Sequence, residues 1–108
     1  MDSDKLLERI ERMGPAINKY AKAKSDRVYL EQYRKSLKAI LMSKSGAKTA
    51  VEREQFAYSS QEYLGMLIGL QASIEIEEKH KWALERLKMD IEIWRTLQAN
   101  DRFQKDRV

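Results

Sequence analysis

A chain of 108 residues with 35% charged and 43% hydrophobic side chains, but only four Gly and one Pro, reads as a single domain of long, charged helices rather than a disordered segment. The absence of cysteine excludes disulfides, thiolate zinc sites and thiol nucleophiles, and points to a reducing, cytoplasmic setting. The net charge of +4 is uneven: residues 1–54 hold 13 Lys or Arg against 8 Asp or Glu, and residues 55–108 hold 8 against 9, so affinity for an acidic partner is expected in the first half.

Ser3 is placed to cap a short helix over 4–13, with Leu6, Leu7, Ile10 and Met13 on one face. Gly14 followed by Pro15 predicts its end, Gly suiting the left-handed position after a helix and Pro the first turn of the next. A second helix is expected over 15–43. Ala23, Leu30 and Leu37 recur every seven residues, and Tyr33 and Ile40 fill the intermediate positions of a packing stripe. Lys24, Arg27, Arg34 and Lys38 form an adjoining basic stripe interrupted by Glu31. "SKSGAKT", Ser43 to Thr49, is a linker. Thr49 with Glu52 makes a capping box for a short helix over 50–58, and Ser59 with Glu62 repeats the signature before a long helix over 60–102.

That last helix carries an early stripe of Tyr63, Met66, Leu67, Leu70 and Ile74 and a later one of Leu84, Leu87, Ile91, Trp94 and Gln98. Glu75–Lys79, Glu77–Lys81, Arg86–Asp90 and Lys88–Glu92, each four apart, are expected as ion pairs on its solvated face. The longest apolar stretch, "YLGMLIGL", falls far short of the roughly 20 residues a membrane span needs, and the polar start predicts no secretory signal. The expected fold is all-α: a long helical hairpin resembling a coiled coil, with two short helices added. Its apolar stripes are partly uncovered, which predicts a homo-oligomer.

Little in the chain suggests catalysis. His80 is the only histidine, so neither a metal site nor a Ser–His–Asp arrangement can be completed around it, and no Gly-rich phosphate loop occurs. The expectation is a non-enzyme without metal or cofactor. Gly65 and Gly69, four apart inside a helix, suit close approach of another backbone. Trp94 lies on the core stripe, whereas Trp82 lies on the charged side, where a large ring suggests contact with another helix or subunit.

Between Lys19 and Lys48 stand nine basic residues and two acids. Such charge is ordinarily a solvated helix face. The competing reading is a polyanion surface: Lys22, Lys24, Arg27, Arg34, Lys35, Lys38, Lys44 and Lys48 following phosphates, with Tyr29 stacking on unpaired bases. A third reading is a protein-only interaction module, favoured by Trp82 and the Gly65–Gly69 spacing.

Three segments, "YLEQYRKSLKAIL" (Tyr29 to Leu41), "AYSSQEYLGMLIGL" (Ala57 to Leu70) and "IEIWRTLQAN" (Ile91 to Asn100), occur in the order basic helix, polar connector, short helix, long helix. In that layout the chain resembles the small phage-encoded recombination mediators of the UvsY type. The resemblance implies single-stranded DNA binding, contact with a recombinase or single-strand-binding protein, assembly into a ring or higher oligomer, and the host cytoplasm as location. The DNA-contacting residues it implies are the basic ones of Lys19 to Lys48.

Overall fold

The computed structural model describes residues 3–106, which form three helices and, among the described residues, no strand: α1 (Ser3–Lys44), α2 (Ala50–Ser59) and α3 (Gln61–Asp106). The fold is all-α, a helical hairpin of α1 and α3 with one short helix, α2, between them. No described helix is long and apolar enough to cross a membrane.

The break expected at Gly14–Pro15 does not occur, and α1 contains Pro15 in its interior. A proline there removes one backbone hydrogen bond and crowds the preceding turn, at a cost of about 3 kcal/mol. The burial pattern explains why the helix continues. Before Lys24, the positions of α1 that are not fully exposed are Leu6, Arg9, Met13, Ala16, Tyr20 and Ala23. Their spacings alternate three and four without a phase change at the proline, so one packing seam runs through it.

The same alternation continues through Arg27, Leu30, Arg34, Leu37 and Leu41. This corrects the expected stripe. Ala23, Leu30 and Leu37 do lie on the seam, but Tyr33 and Ile40 stand on its flank, 41% and 46% exposed. Arg27, Arg34 and Leu41 take the intermediate positions instead. On α3 the matching seam is Tyr63, Met66, Leu70, Ser73, Glu77, His80, Leu84, Leu87, Ile91 and Trp94, again alternating three and four.

Both connections are built from hydroxyl caps. At the end of α1 the Ser45 N–H and Oγ donate to the Met42 carbonyl, at 3.3 and 2.8 Å. Gly46 then takes a left-handed conformation, φ 68°, which a side chain would resist. Thr49 caps α2, its Oγ1 accepting from the Glu52 N–H at 3.2 Å. Ser60, rather than Ser59, caps α3, its Oγ accepting from the Tyr63 N–H at 3.2 Å. The Ser59 hydroxyl donates back to the Gln55 carbonyl at 2.8 Å and so belongs to α2. Helix α3 extends to Asp106, beyond the expected end at Arg102.

The chain divides into two compact units, Lys22–Glu77 and the pair of segments Met1–Ala21 and Glu78–Val108. In the first, Leu37, Leu41, Ala57, Tyr63, Met66 and Leu70 form a buried cluster with Leu30 and Met42 packed against it. Ala57 is its innermost residue, with no exposed surface, so α2 closes the core through a side chain small enough to let the helices meet. In the second, Leu84 is the only buried apolar residue among those described, flanked by the half-buried Leu87, Ile91 and Trp94.

Candidate nucleic-acid interface

The eight cations singled out from the sequence do not share one environment. Arg27 is committed inside the fold: Nε and Nη2 donate to the two carboxylate oxygens of Glu77 at 2.6 and 3.0 Å, and Nη1 to Glu31 at 3.0 Å. Glu77 is itself buried, so this is a forked ion pair on the seam rather than a surface contact. The hydrogen bonds to Glu77, opposed by burial and supported by Glu31, push the guanidinium above its ordinary pKa. Its charge is therefore permanent, but spent on two carboxylates.

Lys38 is likewise engaged. Its Nζ lies 3.4 Å from the Glu54 carboxylate and 4.8 Å from the centroid of the Tyr58 ring, both on α2. Its pKa is raised, first by hydrogen bonding with Tyr58 and, after an opposing contribution from burial, by Glu54. Lys22 pairs on the surface with Asp26 at 3.3 Å. Among the described residues no ion pair holds Lys24, Arg34, Lys35, Lys44 or Lys48. Four of these five are exposed, while Arg34 is half-buried on the seam.

Tyr29 is 67% exposed and stacks on Tyr33, with ring centroids 6.2 Å apart and planes 11° from parallel. It does not stand among the free cations. At about 100° per residue Lys24 and Lys35 fall within about 20° of each other, whereas Tyr29 lies about 140° from the first and about 120° from the second. For Tyr29 and Tyr33 the closeness to lysines is thus a property of the linear sequence, and the helix turns these two rings away from Lys24 and Lys35.

The expected packing residues also separate. Leu84, Leu87, Ile91 and Trp94 lie on the α3 seam. Trp82 is 62% exposed, its indole N–H donating to Glu78 of the same helix at 3.1 Å, with Lys81 Nζ 5.5 Å from the ring centroid. Nothing within this fold packs closely against Gly65 or Gly69. A Cβ added at either would meet nothing within 4 Å.

Two acids assigned to the solvated face of α3 turn inward instead. Glu77 binds Arg27, and Asp90 accepts from Arg9 Nε at 3.2 Å. Lys88 pairs with Glu85 rather than Glu92, and Glu92 with Arg95. The signal for Glu77 was its place seven residues from both Leu70 and Leu84.

One cluster was missed altogether. Arg9, Arg12, Lys19, His80, Arg86 and Asp90 line an open groove floored by Pro15, Ala16 and Ala83. Asp90 engages Arg9 and Glu8 engages Arg12 at 3.1 Å, which leaves Lys19 and Arg86 as the groove's cations without an acid partner among the described residues. His80, the lone histidine, sits half-buried on the seam beside them. No group of three His, Cys, Asp or Glu among the described residues could hold a metal ion. Comparison of the chain with known protein families, with curated proteins and with solved structures finds no match.

Proposed function

We propose that the chain is a non-catalytic helical protein that binds single-stranded nucleic acid and assists DNA recombination or replication. One observation carries the binding: Lys24, Arg34, Lys35, Lys44 and Lys48 keep their charge uncompensated while the neighbouring Lys22, Arg27 and Lys38 are neutralised by acids. The capturing set is therefore these five, with Lys44 and Lys48 at the end of α1 and in the connector. Capture is electrostatic and tolerant of sequence. The recombination setting rests on the resemblance in layout to UvsY-type mediators.

Fluorescence anisotropy of a labelled oligo-dT across a salt series tests the reading. Five neutralised phosphates give a log–log slope of about −3.5, from roughly 0.7 counterions per single-strand phosphate. Charge reversal at Lys24 and Lys35 weakens binding at unchanged helicity, whereas Lys22→Glu changes it little. Absence of binding at low salt, or indifference to the double reversal, returns the stretch to a solvated helix face. The exposed Trp82 favours a second reading, a protein-only interaction module. In that case oligo-dT does not bind, and a co-purifying protein survives nuclease treatment.

A further inference from the structure

The two helices of Lys22–Glu77 carry complementary relief on one flank. On α1, Tyr29, Tyr33 and Ile40 project as an exposed ridge, the two rings stacked on each other. On α3, Gly65, Gly69 and Ala72 follow at spacings of four and three and lie exposed as a trench, with Ile76 closing it. The seam register places ridge and trench on the same side, since positions just before each seam residue flank each other across an antiparallel pair. Helix α2 engages the other flank, through Lys38 and Glu54.

Ridge and trench are also level. Arg27 and Glu77 meet across the seam. Six residues on from Arg27 is Tyr33, and six back from Glu77 is Gln71, half a turn from Gly69. By the same count Ile40 lies level with Leu64, beside Gly65. Yet the ridge does not fill its own trench, because no atom beyond the helix's own neighbouring backbone lies within 4 Å of where either glycine's Cβ would be. Two glycines mid-helix weaken the helix relative to alanine, and no contact at either position within the described residues offsets that.

We infer that a second copy of this chain covers the flank. A two-fold axis running along the hairpin sets α1 of each copy over α3 of the other, with Tyr33 of one copy against Gly69 of the other and Ile40 against Gly65. The result is a four-helix bundle in which the same patch is used twice, as an isologous contact requires. Surface area supports this occupant. The chain exposes 8425 Å², against about 6,200 Å² for a folded monomer of its mass. The excess of about 2,200 Å² is within the range that each partner of an obligate dimer buries, roughly 1,000–2,500 Å². This inference stands apart from nucleic-acid binding and is tested without it.

Sedimentation equilibrium at tens of micromolar gives twice 12.7 kDa for the native chain. Gly69→Arg gives the monomer mass with its helical circular-dichroism signal retained, because an arginine there has open space within its own chain. The native chain has no cysteine, so cross-linking reports the geometry directly. Ser36→Cys with Gly69→Cys forms disulfide-linked dimers under mild oxidation, while Ser36→Cys alone does not, since the two α1 helices sit diagonally across the bundle. A native monomer at these concentrations overturns the inference. So does an assembly that survives Gly69→Arg, or cross-linking by Ser36→Cys alone at equal yield.

Discussion

In Lys22–Glu77 a third helix lets six side chains, from Leu37 to Leu70, pack into a buried cluster, whereas in Met1–Ala21 with Glu78–Val108 two helices meet and only Leu84 is buried among the described residues. Both units use the same alternating seam. They differ in what lies beside it. Two helices touch along a line and leave seam residues such as Leu6, Met13 and Ile91 half-exposed. A short third helix turns that line into an enclosed volume, and α2 does so with one alanine fully covered and a hydroxyl cap at its start. Burial depends on the number of walls more than on the hydrophobicity of the stripe, since large apolar residues are plentiful in both units.

The contrast is broken most sharply by truncation. Leu41→Ala, at a position 3% exposed, costs about 3 kcal/mol in urea unfolding. Leu87→Ala on the half-buried seam costs about 1 kcal/mol. Equal losses at the two sites would contradict the distinction. Next in size, Pro15→Ala restores the missing backbone bond and raises the stability of its own unit by about 2 kcal/mol, read as slower amide exchange over residues 9–21.

Thr49→Ala removes the cap that holds α2 and costs about 1 kcal/mol, with faster exchange confined to α2 and the cluster it covers. The smallest effect is alkaline. The Lys38 pKa is raised in the fold from 10.5, so its contribution is complete below that value and fades as pH rises through the folded value. Lys38→Met removes that alkaline loss, which thermal melts between neutral pH and the alkaline range detect.

Helix content, the connector and the Thr49 cap were legible because their causes are local: hydroxyl spacing, glycine and helical periodicity within a few residues. The continuation of α1 through Pro15 was not, since the reason lies in a seam whose partner is α3. The seam's phase was misread at Tyr33 and Ile40 for a related reason. Apolar side chains draw the eye, while the position beside Leu30 belongs to Arg27, whose carboxylate partner lies 50 residues away. The candidate site shows the same limit. Nothing near Lys38 in sequence announces Glu54 and Tyr58, so eight cations looked equivalent until α2 and α3 claimed two of them.

The Arg27–Glu77 contact also has a bearing on how the helices find their alignment. An alternating seam of leucines is nearly degenerate: sliding one helix by seven residues still places apolar against apolar. Here a slide of that size in one direction would set Arg27 against Leu70 and Glu77 against Tyr20, leaving the carboxylate enclosed without a counter-charge while Arg27 keeps only Glu31 of its own helix. The pair thus penalises that shift, whereas the opposite one brings Arg34 level with Glu77 and forfeits only the forked contact of Arg27. A forked charge pair at one level of the seam thus sets the native alignment apart from a neighbouring one that apolar contact alone would tolerate.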